Sequence, residues 1–302
     1  MSQPMDTRCG FVALIGAPNV GKSTLLNALV GTKVSIVSRK VQTTRSLVRG
    51  IAIEGAAQII FVDTPGIFAP RRTLDRAMVG AAWSGAADAD LIALLLDARR
   101  GLDDDAKALL GPLAGLARPK VLILTKIDLA PRPSLLELSS SANAALAFED
   151  TFMVSALKSD GLAHLRARLA ARMAPGPWLY PEDQAADAPL RALAAEITRE
   201  KILERLHEEL PYHVTVETES WTQQKDGSAR IEQTIYVTRE AHKKIVIGER
   251  GQMIKSIGSA ARKDIAEAAE HPVHLFLFVK VRENWMDDPA RYREMGLDLP
   301  KK

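Results

Sequence analysis

The stretch Gly16-Ala17-Pro18-Asn19-Val20-Gly21-Lys22-Ser23-Thr24 constrains this chain more than any other. It fits G-x-x-x-x-G-K-[ST], a glycine-rich loop whose backbone wraps a phosphate. The apolar run Phe11-Val12-Ala13-Leu14-Ile15 before it reads as a buried strand, and Leu25-Leu26-Asn27-Ala28-Leu29 after it has helical spacing. A helix that starts there points free N–H groups and its positive dipole end at the bound anion. Lys22 is placed to reach β- and γ-phosphates, and the Ser23 hydroxyl to hold Mg²⁺.

With 302 residues, the chain is expected to form about two domains. Cys9 is the only cysteine, so no intramolecular disulfide is possible, which suits a reducing compartment. The opening residues lack the apolar core of a secretory leader. No apolar run approaches the ~20 residues of a membrane span, so a soluble protein is expected. A net charge of +3 does not by itself point to nucleic acid.

Downstream, Lys33-Val34-Ser35-Ile36-Val37 leads into the polar segment Ser38-Arg39-Lys40-Val41-Gln42-Thr43-Thr44-Arg45, which reads as a mobile loop or strand end. Ile51–Ile53 and Gln58–Val62 read as strands around a turn at Glu54-Gly55. The second runs straight into Asp63-Thr64-Pro65-Gly66. After a P-loop, an acid at a strand end followed by glycine has a definite chemistry. Asp63 holds Mg²⁺ through water, and the Gly66 N–H touches a γ-phosphate.

Leu91–Asp97, Val121–Leu124 and Phe152–Val154 are further strands, and Gly161–Met173 has a helical pattern. Asp128, in Thr125-Lys126-Ile127-Asp128, is placed to accept from N1–H and the 2-amino group of guanine. Adenine lacks that donor pair and would leave a buried carboxylate unpaired. The Lys126 stem packs along the base, and a backbone N–H within Ser155-Ala156-Leu157 reaches guanine O6. Alternating strands and helices predict an α/β domain with a mostly parallel sheet and its ligand at the carboxyl ends of the strands.

These motifs resemble, in order and spacing, those of translation-factor-class GTPases. Pro18-Asn19-Val20 and Thr43-Thr44-Arg45 resemble the Era, Der and MnmE branch. The resemblance implies GTP and GDP as ligands, and Mg²⁺ held by Ser23, Asp63 and one switch threonine, Thr44 rather than Thr43. It assigns hydrolysis to Asn19, Lys22, Thr44 and Gly66. Two residues depart from the pattern. Thr125 stands where Asn usually bridges base and P-loop, so guanine selectivity is expected to rest on Asp128, with weaker binding. Ile67 stands where Ras-like proteins carry a water-orienting Gln. Slow hydrolysis is expected unless help comes from elsewhere. In this branch an Asn at the position of Asn19 can hold K⁺ beside the phosphates; the alternative is that Asn19 only shapes the loop.

The Pro-rich run Met173–Gln184 breaks helical periodicity and reads as a linker, with Trp178 and Tyr180 anchoring it on a domain surface. The expected domains are 1–175, a linker 176–188, and 189–302. In the second, Leu190–Leu210 reads as a helix, and Tyr212–Thr218 with Arg230–Val237 as a hairpin. Then come Ile245-Val246-Ile247, the G-x-x-G of Gly248-Glu249-Arg250-Gly251, and a helix to about Glu270. A strand from His274 to Val281 and a short helix from Met286 to Met295 close the chain. In KH domains a G-x-x-G loop between two helices clamps four nucleotides. The pattern resembles a type II KH domain, with the extra helix in front. From residue 189 onward, 19 Lys and Arg balance 19 Asp and Glu. Between Arg239 and Lys263, seven bases face two acids. That local excess supplies phosphate attraction. The RNA-binding set is Lys243, Lys244, Gly248, Glu249, Arg250, Gly251 and Lys255.

A GTPase of this branch fused to a C-terminal KH domain resembles the Era family over essentially the whole chain. The family implies binding of 16S rRNA near its 3′ end, assistance to small (30S) subunit maturation, a cytoplasmic location with some peripheral membrane association, and a monomer. The rival reading is an RNA-binding KH protein with a weak or inactive nucleotide pocket. A tRNA-modifying GTPase of the same branch would need a modification domain for which no residues remain, and an ATP-using kinase is disfavoured by Asp128.

Overall fold

The computed structural model describes residues 7–207, 210–283, 285–289, 292 and 295–298. Two compact units divide the chain: residues 1–35, 44–187 and 296–302 form the first, and residues 36–43 with 188–295 the second.

The first unit runs β1 (Arg8–Ile15), α1 (Lys22–Val30), β2 (Val48–Glu54), β3 (Ala57–Asp63), α2 (Thr73–Asp88), β4 (Leu91–Asp97), α3 (Asp104–Ala114), β5 (Lys120–Thr125), α4 (Arg132–Ala145), β6 (Asp150–Val154), α5 (Leu162–Arg172) and β7 (Ala174–Pro175). The sheet order is β2-β3-β1-β4-β5-β6, with β7 on β1. Only β2 and β7 pair antiparallel, so the sheet is mostly parallel, as the strand–helix alternation predicts. Alternate residues of β1 serve opposite cores. Val12 and Leu14 pack with α1 and α5, whereas Ala13 and Ile15 pack with α2, α3 and α4. Both faces of the sheet are covered, which is why its strands read as unbroken apolar runs. β1 lies between β3 and β4, where the chain's course reverses, and such a switch point opens a crevice at the strand ends.

The Pro-rich run after α5 is bound rather than free. Trp178 Nε1 donates to Ala56 O at 3.0 Å, and Gln58 accepts from the N–H of Leu179 and Tyr180. Ile51 N donates to Ala185 O and Asp187 N to Arg49 O, so the segment satisfies the outer edge of β2.

The second unit contains α6 (Leu190–Arg205), β8 (Val214–Gln223), β9 (Ala229–Val237), α7 (Glu240–Ile247), α8 (Gln252–Ala269) and β10 (Val273–Val281). Its sheet order is β10-β9-β8, antiparallel between β8 and β9 and parallel between β9 and β10. This is the order of a type II KH domain. The helix expected to reach Leu210 stops at Arg205, because Leu206 takes an extended conformation and a 3-10 turn follows at Leu210–His213. The polar segment before Thr44, expected as a mobile loop or strand end, contains neither helix nor strand. Its part from Ile36 to Thr43 packs in this unit. Ile36 joins the core of Ile197, Leu203 and Ala261, Val37 N donates to Glu200 at 2.7 Å, and Arg199 donates to Thr43 O. A 3-10 turn at Trp285–Asp287 stands at the start of the expected terminal helix, of which residues 290, 291, 293 and 294 lie outside the described residues.

Candidate nucleotide site and nucleic-acid loop

The loop between β1 and α1 is shaped by backbone that few residues tolerate. Asn19 has φ 63° and Gly21 φ 101°; asparagine is among the few side chains that enter this region at modest cost. Gly21 caps α1 without a side-chain bond, so the first-turn N–H groups of Lys22, Ser23 and Thr24 face an anion site with no side chain in competition. Lys22 Nζ donates to Gly16 O and Ala17 O at 3.0 Å. Burial pulls its ammonium down to about 8, although Asp63 acts in the opposite direction.

Asp63, at the end of β3, is fully buried. Its Oδ2 accepts from Ser23 Oγ at 2.6 Å, Ser35 Oγ at 3.0 Å and Thr44 Oγ1 at 3.3 Å, and Ser23 Oγ lies 3.0 Å from Thr44 Oγ1. Its Oδ1 is buried without a partner. Burial holds the carboxyl above the ordinary range, with Lys22 and the three hydroxyls partly offsetting it. Such a cluster of hard oxygen donors, with one carboxylate oxygen left over, fits Mg²⁺. The structure separates the two threonines. Thr44 stands at Asp63, whereas Thr43 Oγ1 donates to Lys40 O at 2.6 Å and belongs to the second unit. Sequence reasoning missed Ser35. Its only signal was a serine inside an apolar run just before the switch threonines.

After Asp63, Thr64 Oγ1 donates to Leu14 O at 2.8 Å and Pro65 is buried. A Cβ on Gly66 would lie 2.9 Å from Pro18 Cα and 3.0 Å from Pro18 N, so only glycine fits against the P-loop here. Ile67 N donates to Gly16 O, and the Ile67 side chain is buried with Ala82 and Leu94. Ile67 therefore serves the core.

At the end of β5, Thr125 Oγ1 donates to Val20 O at 2.6 Å and lies 3.1 Å from Leu96 O. Lys126 has φ 58°, and its Nζ donates to Asn19 O and to Asp97 Oδ2. Asp128, read from the sequence as a buried carboxylate, is exposed on the 3-10 turn Ile127–Leu129 that follows β5. Ser155 N–H is already donated to Asp160 O. Of the three residues Ser155, Ala156 and Leu157, the last two are left to offer an N–H to a base. Asp97, which accepts from both Lys126 and Arg99, was not found by sequence reasoning.

In the second unit, α7 ends at Gly248 (φ 74°) and α8 begins after Gly251 (φ 76°), with Arg250 at φ 50° between them. A Cβ on Gly248 would meet Met253 Cβ at 2.6 Å, so the two helix ends close onto each other only through glycine. Lys244, Glu249, Arg250 and Lys255 are exposed and Lys243 is half-buried. Gly251 caps α8 with no side-chain bond, which leaves its first N–H groups directed out of the loop.

Comparison with known proteins matches both halves. Residues 11–126 match a family described as "50S ribosome-binding GTPase", and residues 209–286 match the KH domain family. GTPase Era of Bradyrhizobium sp. (strain BTAi1) is 66% identical over 296 residues, covering 98% of this chain and 96% of that protein. The chain belongs to the Era GTPase family. GTPase Era of Afipia carboxidovorans is 65% identical over 99% of this chain and 97% of its own length. Among solved structures, Era of Aquifex aeolicus, a variant bound to GDP·AlF4⁻, superposes with TM-score 0.90 at 38% identity, covering 96% of this chain and 99% of that one. Era in complex with MgGDPNP and nucleotides 1506–1542 of 16S ribosomal RNA superposes with TM-score 0.89 at 38% identity, with the same coverage. The Era family thus pairs the same two folds in the same order.

Proposed function

We propose that this chain is a GTP-binding and GTP-hydrolysing switch that binds 16S rRNA near its 3′ end and assists maturation of the small ribosomal subunit. The observation that carries the reading is Asp63. It is a buried carboxylate with one oxygen shared by three hydroxyls and the other unpartnered, next to the P-loop lysine. Mg²⁺ there would be held by Ser23, Thr44 and Asp63, and would neutralise charge on the β- and γ-phosphates. Residues 16–24 and 63–66 would bind the phosphates, with Lys22 and the Gly66 N–H on the γ-phosphate. Thr125, Lys126, Asp128 and the Ser155–Leu157 turn would take the base. Lys243, Lys244, the Gly248–Gly251 loop and Lys255 would hold the RNA backbone. The roles divide as a GTPase domain over 1–175, a linker over 176–188 and a KH domain over 189–302. The solved Era complex with MgGDPNP and nucleotides 1506–1542 of 16S rRNA supports both ligands.

The switch works by ordering the loops around Thr44 and Gly66 when GTP and Mg²⁺ are present, and by releasing them on hydrolysis. Family resemblance supports a monomer in the cytoplasm with some peripheral attachment to the membrane; no helix among the described residues is long and apolar enough to cross one. A second reading, an RNA-binding protein with a weak pocket, draws on Ile67 and Thr125, both of which spend their side chains on the protein itself. Titration with GDP and ADP, on the wild type and Asp128→Asn, separates the two. The GTPase reading requires preference for GDP and its loss in the variant; equal, weak binding of both nucleotides would support the second. Crosslinking to RNA in cells maps the partner, and contacts outside small-subunit rRNA would sink that assignment.

A further inference from the structure

The single hydroxyl hydrogen of Thr125 goes to Val20 O at 2.6 Å, with Leu96 O at 3.1 Å, so Thr125 has none left to donate to a base. The residues around it supply a second link. The Asp97 carboxylate, 1% exposed, lies at the end of β4 beside Lys126. Its Oδ2 accepts from Lys126 Nζ at 2.7 Å, and Lys126 Nζ also donates to Asn19 O in the P-loop. Arg99 grips both carboxylate oxygens, Nε at 3.1 Å and one terminal nitrogen at 2.8 Å, while its backbone N–H donates at 3.0 Å. Four donors thus hold Asp97 ionised, well below the usual carboxylate range at about 2, although burial acts against it. Lys126 sits at φ 58°, a backbone position that turns its stem back across the strand ends toward the P-loop. The Arg99 guanidinium lies in the field of Asp128, the carboxylate placed to read guanine.

We infer that Asp97 is a positioning residue for guanine-nucleotide affinity: it clamps Lys126 along the face of the base and ties the base-reading loop to the P-loop, a link the Thr125 hydroxyl does not extend to the base. This inference rests on the proposed nucleotide site. Asp97 itself touches no nucleotide; Lys126 carries its effect. Because Lys126 acts on the face of the purine and Asp128 on its edge, the two contributions separate by ligand. Inosine nucleotides lack the 2-amino group that Asp128 reads but present the same face to Lys126.

The test is a double-mutant cycle on the full chain, with Kd for GDP and IDP measured by calorimetry and thermal unfolding measured without nucleotide. Asp97→Asn is expected to weaken GDP and IDP equally, by about tenfold to a hundredfold, the loss appropriate to charged hydrogen bonds. Lys126→Met is expected to do the same, and the double variant no worse than the weaker single. Asp128→Asn, by contrast, should collapse the GDP/IDP ratio. Additive effects of Asp97→Asn and Lys126→Met would overturn the clamp, as would a changed GDP/IDP ratio in Asp97→Asn. If Asp97→Asn does not fold, Lys126→Met decides alone: GDP and IDP affinity within about twofold of wild type would remove the inference. Failure of the wild type to bind GDP would instead refute the nucleotide site on which it rests.

Discussion

Ser23 Oγ donates to Asp63 Oδ2 across 2.6 Å, joining the first turn of α1 to the end of β3. Thr44 closes the triangle, 3.0 Å from Ser23 and 3.3 Å from the same oxygen. Three hydroxyls, counting Ser35, share one oxygen of a buried carboxylate while the other oxygen is left over. Thr44→Ala and Thr43→Ala should therefore behave differently. Thr44→Ala is expected to raise the Mg²⁺ concentration needed for half-maximal GTP hydrolysis and to cut the rate by about tenfold or more. Thr43→Ala should leave the Mg²⁺ dependence as it is. Identical Mg²⁺ titrations for the two variants would show that Thr44 is not the ligand.

Lys22 sets a pH dependence whose sign is fixed. Burial in the fold pulls its ammonium down to about 8 from the ordinary 10.5. Between those values the unfolded chain binds the proton and the folded one does not. The Lys22 contribution to stability therefore rises with pH across that window, and below it the cost of the buried charge is present in full. A bound phosphate restores the proton. Nucleotide binding at about pH 9 is thus expected to take up protons, and GDP affinity to fall as pH rises above about 8. Calorimetry of GDP binding in two buffers of different ionisation enthalpy measures the uptake directly. Lys22→Met should abolish it.

Gly66 has no room for a side chain, since a Cβ would sit 2.9 Å from Pro18 Cα. Gly66→Ala must push the chain after β3 away from the P-loop and displace the N–H proposed for the γ-phosphate. Single-turnover hydrolysis is expected to fall by roughly a hundredfold, the loss typical of one removed donor at a developing charge. GDP binding, which needs no γ-phosphate contact, should change by less than about threefold. Equal losses in both would make Gly66 merely structural.

Asn19 has two uses, loop geometry and a monovalent cation. Its φ of 63° already accounts for an asparagine on backbone grounds. If a cation also acts there, GTP hydrolysis in K⁺ buffer should exceed that in Na⁺ buffer by about tenfold or more, and Asn19→Gly, which tolerates the backbone, should erase the difference. Equal rates in the two salts remove the cation role.

Lys244 and Lys255 flank the G-x-x-G loop and are exposed. Lys244→Ala and Lys255→Ala are each expected to weaken binding of a single-stranded RNA from the 3′ end of 16S rRNA. Each should lower the slope of log affinity against log salt by about one, with the unfolding temperature unchanged. Gly248→Ala differs in kind. Its Cβ would meet Met253 Cβ at 2.6 Å, so it should lower the unfolding temperature as well as the affinity.

The amino-acid sequence alone determined the local chemistry. The spacing of Gly16, Gly21, Lys22 and Ser23 specified a strand–loop–helix anion site. Apolar strands alternating with helices specified an α/β domain with a mostly parallel sheet, and Gly248 with Gly251 specified a loop between two helices. Those are properties of a few consecutive residues, set by backbone sterics and by the period of hydrophobic burial. Tertiary structure decided which distant groups share a carboxylate or a carbonyl. Ser35 joins Ser23 and Thr44 at Asp63, Thr44 is separated from Thr43, and Ile67 turns into the core. Asp97, whose residue type carries no motif, embraces Lys126 only because β4 and β5 are neighbours in register, with Asp97 opposite Thr125. Such pairings depend on sheet order and register across tens of residues, and no local pattern encodes those.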